Sequence, residues 1–458
     1  MFGKTRHIHF VGIGGIGMSG MAELLHKLGF SLSGSDLNKS ERTSHLESLG
    51  IDIFQGHQKE NVNECDVLVY SSAVNPENPE IVWAKTNGVP VIRRAEMLSE
   101  LMKLKDTSIA VAGTHGKTTT SSMLGNILLE AELQPTLVIG GIVNKFNTNT
   151  ISGDGEIIVV EADEFDKTFL QLSPTHAVIN NLDLEHLDCY ENLEDLQSSF
   201  IQFANAVPFY GRVCICIDHE NTKSIIPKIK RPILTFGFDN DAEVRAENIS
   251  YDKMSSSFDL KWNGSSISNV RLNVPGAHNI QNALAAITVA LELEVDIDTI
   301  INGLALYTGV RRRFQIVKSL QDGTLIIDDY AHHPAEVEAT LNSAKSGWNK
   351  RIISIFQPHL YSRTRDFYQD FATAFKMSDI AVFTDIFPAR EEPIEGISTR
   401  LIVNELSRLG HDNIHYIEDI DKIPDTIQTL HQPGDIILTM GAGNIWRQND
   451  HIIAQLSL

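Results

Sequence analysis

Ser108-Ile109-Ala110-Val111-Ala112-Gly113-Thr114-His115-Gly116-Lys117-Thr118-Thr119-Thr120 reads as a β-strand that turns through glycine and opens into a helix. The apolar run Ile109 to Ala112 supplies the strand. Gly113 and Gly116 let the backbone turn tightly, so that its N–H groups face outward at a helix N-terminus, which is a ready anion site. Lys117 follows the second glycine, where an ammonium neutralises phosphate oxygens. The hydroxyl of Thr118 is placed to bind a divalent cation. The stretch departs from the usual phosphate loop at one point: Val111, not glycine, stands five residues before Gly116. The expected phosphate cradle is Gly113, Thr114, His115, Gly116, Lys117, Thr118 and Thr119.

A bound phosphate and its metal call for acids or imidazoles nearby. The strand-like run Ile157 to Glu161 ends in carboxylates, with Asp163 and Glu164 just beyond. The stretch Asn180 to Asp188 follows another strand end and carries Asp183, Glu185, His186 and Asp188. Thr118, the carboxylates Glu161, Asp163 and Glu164, and His186 are the candidate metal ligands.

A second glycine turn lies near the start of the chain. Gly12-Ile13-Gly14-Gly15-Ile16-Gly17 follows the strand His7 to Val11 and opens the helical run Met18 to Leu28. Asp36, at the end of the next strand, is where an acid meets a ribose hydroxyl. Taken alone this is the pattern of an NAD site. It also accommodates the diphosphate of a UDP-sugar.

Working outward, strand–turn–helix units recur through Val67–Tyr70 and Val89–Ile92, through Ala177–Asn180 and Val213–Asp218, and again from Thr324–Asp328 through Ile352–Phe356, Ile380–Thr384 and Asp435–Met440. This is the βαβ rhythm of parallel sheets. Residues 246–274 alternate more weakly, as in an antiparallel patch, and a helix is expected from Asn279 to Glu292. Breaks near Leu104 and in the region 307–314 divide the chain into 1–104, 105–310 and 311–458. Its 458 residues exceed what one core organises.

Acidic residues outnumber basic ones by 59 to 38, for a net charge of −21, which disfavours nucleic acid and anionic membranes as partners. No apolar run spans a bilayer, and glycines break the first apolar stretch, so a cytoplasmic protein is expected. Cys65, Cys189, Cys214 and Cys216 form no CxxC pair, and Cys214 and Cys216 share one strand face as expected of buried thiols.

GTHGKTTT (Gly113–Thr120), EADE (Glu161–Glu164), EHLD (Glu185–Asp188), PGAHNIQNA (Pro275–Ala283), GVRRRF (Gly309–Phe314) and DDYAHHP (Asp328–Pro334) occur in the order found in the Mur ligases of peptidoglycan synthesis. The chain resembles that family along its whole length. HFVGIGGIGMSGMAE (His9–Glu23), SGSD (Ser33–Asp36), SSAV (Ser71–Val74) and FQPHLYSRTRD (Phe356–Asp366) are similar to its alanine-adding branch. The resemblance implies an α/β protein of three domains: an N-terminal Rossmann-like domain for the UDP-sugar, a central P-loop ATPase-like parallel sheet, and a C-terminal Rossmann-like domain closing over ATP and amino acid.

The implied activity is ATP-dependent ligation of L-alanine to UDP-N-acetylmuramate, with Mg²⁺ and with Mn²⁺ accepted. The glycine turn Gly12, Gly14, Gly15 and Gly17, with Ser35 and Asp36, then receives the UDP-sugar, and the NAD reading recedes. His57, Ser71 and Ser72 match the uridine pocket. Lys117 and Thr118 hold the γ-phosphate and a first metal; Glu161 ligates both metals and His186 the second. Asn279 and Asn282 match adenine contacts, Arg313 and Asp329 match contacts to the ATP phosphate and ribose, and His332 lies in the motif facing the amino acid, where either it or His333 serves the amine. Later-acting Mur ligases carry a carbamylated lysine near the second metal; here residues 180–190 contain none. The alanine branch usually has arginine where this chain has Leu360, leaving Arg363 and Arg365 to take that load. The nearest rival is a recycling ligase that attaches a tripeptide to the same sugar. An NAD-dependent oxidoreductase with a fused ATPase domain and a non-catalytic UDP-sugar sensor stand further off.

Overall fold

A computed structural model of the chain describes residues 2–62, 64–71, 73–146, 148–183, 189–389 and 391–457. His186 and Ser72 lie outside these. Three sheets organise it, and the expected three-domain α/β architecture is what it has. The first sheet contains β1 (His7–Val11), β2 (Ser31–Asp36), β3 (Asp52–Gln55), β4 (Val67–Tyr70) and β5 (Val91–Arg93) in the order β3-β2-β1-β4-β5, all parallel. The order reverses between β1 and β4. In open parallel sheets, ligands bind at such a switch point, outside the carboxyl ends of the strands.

The second sheet contains β6 (Thr107–Ala112), β7 (Thr136–Val143), β8 (Thr148–Ile151), β9 (Ile157–Glu161), β10 (His176–Ile179), β11 (Arg212–Cys216), β12 (Ile233–Gly237), β13 (Val244–Asp252), β14 (Ser255–Trp262) and β15 (Ser265–Leu272). Their order is β15-β14-β13-β12-β11-β10-β6-β9-β7-β8. The central strand β6 pairs in parallel with β9 and β10, and Ile109, Ala110, Val111 and Ala112 are wholly buried. A strand covered on both faces is apolar throughout. The third sheet contains β16 (Gln315–Ser319), β17 (Leu325–Asp329), β18 (Ile352–Phe356), β19 (Ile380–Thr384), β20 (Ile414–Ile417) and β21 (Ile436–Met440), ordered β16-β17-β21-β18-β19-β20 with only β16 antiparallel.

The chain packs into two compact units. One comprises Met1–Glu247, Asp259–Ser268 and Gln281–Tyr307; the other comprises Asn248–Phe258, Asn269–Ile280 and Thr308–Leu458. The first unit's core joins Ile8, Phe10 and Leu25 to Ala110, Val160, Phe200 and Phe203. The second packs Phe356, Phe371, Phe375 and Phe383 together with Leu438 and Met440. The helix expected over 279–292 is Ala277–Glu292. Cys214 and Cys216 are both fully buried, and burial pushes their thiols well above the usual range. Among the described residues no helix is long and apolar enough to cross a membrane.

Candidate active site

In the first unit, β6 ends at Ala112 and the helix Lys117–Glu130 begins five residues later. Gly116 is the N-cap at φ +81°, and a Cβ there would collide with Asn282 Oδ1. Gly113 has φ +137° and lies against Asn180 and Asn181. These two positions need glycine for backbone and space alike.

The segment after β10 is stitched to this loop. His115 N donates to Asn181 Oδ1 (2.8 Å), and Thr114 Oγ1 accepts from Asp183 N (2.9 Å). Asn180 Nδ2 donates to Thr120 Oγ1 (2.9 Å), which donates on to Asn282 Oδ1 (3.3 Å). Asn282 therefore braces the phosphate loop. Thr119 is buried in the first turn of the helix.

Lys117 Nζ lies 2.9 and 2.8 Å from Glu164 Oε1 and Oε2, and also donates to the carbonyls of Gly113 (2.7 Å) and Thr114 (3.2 Å). Glu164 is 1 % exposed, so its charge answers the lysine's inside the protein. The strand pairing of β6 with β9 sets Glu161 opposite Val111. Glu161 Oε2 accepts from Thr118 Oγ1 (3.1 Å), and Oε1 accepts from Gly140 N (2.6 Å). A hydroxyl oxygen and a carboxylate are thus paired beside the phosphate loop. Such a hard-oxygen donor set fits Mg²⁺.

The other glycine turn sits at the switch point of the first sheet. Gly12 has φ +79°, and a Cβ there would press on Ser71 and Val74 at the end of β4. Gly15 is the N-cap of the helix Ile16–Lys27, and a Cβ on Gly17 would meet Arg94 Nη1 at 2.5 Å. Gly14 N donates to Asp36 Oδ2 (2.9 Å), so Asp36 closes the turn. Ser35 O accepts from Gly12 N and Ile13 N, while Ser35 Oγ lies 2.9 Å from His57 Nδ1.

The second unit gathers its own set. Asp329, at the end of β17, accepts from Phe314 N and Ala331 N (2.8 Å each). Burial pushes it up to about 6, although Arg313 opposes the rise. Arg313 Nη1 donates to Glu336 Oε1 (3.3 Å), and its guanidinium lies over the Tyr330 ring. Burial disfavours its charge, but Glu336 and Asp329 more than offset that and raise its pKa. His332 Nδ1 lies 3.0 Å from both Tyr330 O and Glu336 Oε2. Glu336 also accepts from the backbone N–H groups of His332 and His333, capping the helix Pro334–Gly347. His332 stacks edge-on against His359, whose Nδ1 is 3.4 Å from Arg363 Nη1. Arg363 is buried, whereas Arg365 is engaged with its neighbour Asp366. Asn279 is buried and donates to Pro275 O (2.7 Å).

The structure therefore brings Lys117, Thr118 and Glu161 together in one unit, and Arg313, Asp329 and His332 in the other. Glu164, Asn180, Asn181 and Gly140 join the first group without having been singled out from the sequence. For Glu164 the signal was there, since it closes the acidic run that Glu161 begins.

Comparison with known proteins agrees along the whole chain. Residues 7–106 match the description "Mur ligase family, catalytic domain", residues 111–290 "Mur ligase middle domain", and residues 312–443 "Mur ligase, glutamate ligase domain". The UDP-N-acetylmuramate–L-alanine ligase of Geobacter sulfurreducens is 48% identical over 458 residues, covering 100% of this chain and 99% of that one. The enzyme of the same name from Geotalea uraniireducens is 47% identical over 456 residues, with the same coverage. Among solved structures, the UDP-N-acetylmuramate–alanine ligase of Thermotoga maritima superposes with a TM-score of 0.83 at 31% identity, over 98% of this chain and 99% of that one. A murein peptide ligase of Psychrobacter arcticus gives 0.72 at 26%, over 99% of each. This chain belongs to the Mur ligase family.

Proposed function

We propose that the chain joins L-alanine to the carboxylate of UDP-N-acetylmuramate at the expense of ATP, in the synthesis of peptidoglycan precursors. The observation that carries this is the phosphate loop with Lys117, Thr118 and Glu161 converging beside it, in a chain whose full-length relatives bear that activity in their names. The recycling alternative is less favoured. The murein peptide ligase is both less identical and less superposable than the alanine ligase.

A free carboxylate does not form an amide at neutral pH without activation. The lactyl carboxylate of the sugar attacks the γ-phosphorus of ATP, giving an acyl phosphate and ADP. The alanine amine then attacks the acyl carbon and phosphate leaves. The first step brings an anion onto a polyanion, so charge neutralisation dominates. Lys117 supplies one positive charge. Thr118 and Glu161, with His186 from outside the described residues, are the proposed ligands of Mg²⁺, which supplies further positive charge to the phosphates when bound; Mn²⁺ is expected to substitute.

Alanine must attack as the neutral amine. Both partners of His332 Nδ1 are acceptors, so Nδ1 carries the proton and Nε2 holds the lone pair. That supports His332 as an acceptor of the proton from the amine, and His333 stays the alternative. Arg313 and Asp329 are the proposed contacts to ATP phosphate and ribose, with Asn279 and Asn282 on the adenine side. The domain limits 1–104, 105–310 and 311–458 are proposed with these roles. Phosphate release measured with UDP-N-acetylmuramate, ATP and each of L-alanine, glycine, L-serine and the murein tripeptide tests the assignment. L-alanine is expected to give the highest kcat/KM; a higher value with the tripeptide contradicts it.

A further inference from the structure

Glu80 is a wholly buried carboxylate on the first turn of the helix Pro79–Thr86, and no step above uses it. A glutamate is almost never fully buried unless it is paired. Here Oε1 accepts from Asn61 Nδ2 (2.6 Å) and Gln58 N (3.2 Å), and Oε2 accepts from Ser35 Oγ (2.5 Å). His9 and His57 stand 3.7 and 3.4 Å from Oε2. Burial alone raises the pKa of Glu80, but its contacts with His9, Ser35 and Asn61 prevail and hold it below the ordinary value. The helix N-terminus favours the same charge.

An ionised carboxylate only accepts hydrogen bonds. The single hydroxyl proton of Ser35 therefore points at Glu80. Ser35 Oγ can then only accept from His57, so the proton of neutral His57 sits on Nδ1 and its lone pair sits on Nε2. The polarity runs in one direction from Glu80 through Ser35 to His57. The same Ser35 holds the glycine turn by its carbonyl, through Gly12 N (2.8 Å) and Ile13 N (3.1 Å). His57 follows β3 at the carboxyl edge of the sheet, beside the ends of β2 and β1. Its side chain is 13% exposed, and among the described residues no protein group is recorded as a partner of Nε2.

We propose that Glu80 is a positioning residue for nucleobase selection: through Ser35 it fixes His57 with Nε2 as a hydrogen-bond acceptor, which takes the N3–H of uracil and rejects cytosine, whose N3 is itself an acceptor. This rests on the reading of the first domain as the UDP-sugar site. Glu80→Gln inverts the relay at nearly constant shape. The new amide donates to Ser35, Ser35 donates to His57 Nδ1, and Nε2 becomes the proton-bearing donor.

Titration of the full chain with UDP and with CDP, by calorimetry, reads this directly. The wild type is expected to prefer UDP by about ten- to a hundredfold, the scale of one hydrogen bond against one buried mismatch. Glu80→Gln is expected to erase or reverse that preference, weakening UDP while leaving CDP equal or tighter. An equal loss for both nucleotides, or an unchanged ratio, overturns the proposal and shows Glu80 to be structural. Absence of UDP binding by the wild type overturns the UDP-sugar reading itself. A measurement that needs no variant is the ¹⁵N–¹H spectrum of labelled histidine in the wild-type protein. His57 is expected as the Nδ1–H tautomer, and the Nε2–H tautomer overturns the relay.

Discussion

Lys117 Nζ sits between the two carboxylate oxygens of Glu164, 2.9 and 2.8 Å away, with Glu164 almost fully buried. The lysine proposed to meet the γ-phosphate is thus paired with a carboxylate of the protein itself. Removing one member of a buried ion pair leaves the other uncompensated, at a cost of roughly 3–5 kcal/mol. Glu164→Gln is expected to lower the Tm of the nucleotide-free protein by several degrees. ATP should then raise the variant's Tm more than the wild type's, because its phosphates restore the missing negative charge. Equal ATP-induced shifts in the two proteins contradict this.

Lys117→Ala is expected to reduce ligation by about a hundredfold or more, the scale of losing one preorganised charge at a phosphoryl transfer. Binding of UDP-N-acetylmuramate should stay within about twofold of wild type. The two glycine turns belong to different sheets, one after β1 and the other after β6. Parallel loss of sugar binding and ligation contradicts the assignment of separate ligands to them.

Asp329 gives a pH dependence whose sign is fixed. Its pKa rises from 3.8 to about 6 because burial penalises the charge. A carboxyl with a raised folded-state pKa contributes stability that is fully present below its unfolded pKa and is lost as pH rises through about 6. Asp329→Asn cannot ionise. Its stability relative to wild type should therefore increase from pH 4 to pH 7, by about 2 kcal/mol. Urea unfolding of both proteins at several pH values measures the difference. A flat or falling difference contradicts the raised pKa.

Leu360 stands at φ +71° as the N-cap of the helix Tyr361–Phe375, with its N–H on Phe387 O (3.0 Å). Any side chain other than glycine meets the same backbone strain there. Leu360→Arg should consequently keep stability within about 0.5 kcal/mol, since the site is partly exposed. Binding of ATP or alanine should be unchanged or tighter. A collapse of activity in a folded variant would show that the neighbouring contacts are built around leucine.

What was legible in the sequence follows physical lines. β1, β6, β9, β18 and β21 were readable because each is a mostly apolar run that ends at glycine or a polar residue, and each lies in the interior of its sheet rather than at an edge. β7 and β8 were not singled out. β7 contains Gly140 and Gly141, and β8 is a short edge strand, Thr148–Ile151, carrying two threonines and an asparagine. The phosphate loop was readable because its residue order is local. The pairing of Lys117 with Glu164 was not, because the turn after β9 decides which carboxylate faces the lysine. Glu80 was illegible for a related reason. In Asn78-Pro79-Glu80 it reads as a solvated acid on a helix start, and only the position of Ser35 on β2 and Asn61 after β3 shows that it is buried.

Activation of the sugar carboxylate by phosphorylation is tested with UDP-N-acetylmuramate whose carboxylate carries two ¹⁸O atoms, with ATP, Mg²⁺ and L-alanine. Attack of that carboxylate on the γ-phosphorus moves one of its oxygens into the bond to phosphorus. The expected alanyl product retains one ¹⁸O in its new amide carbonyl, with an equal amount of phosphate carrying the other. Phosphate free of label, or no alanyl adduct when ATP is consumed, contradicts it.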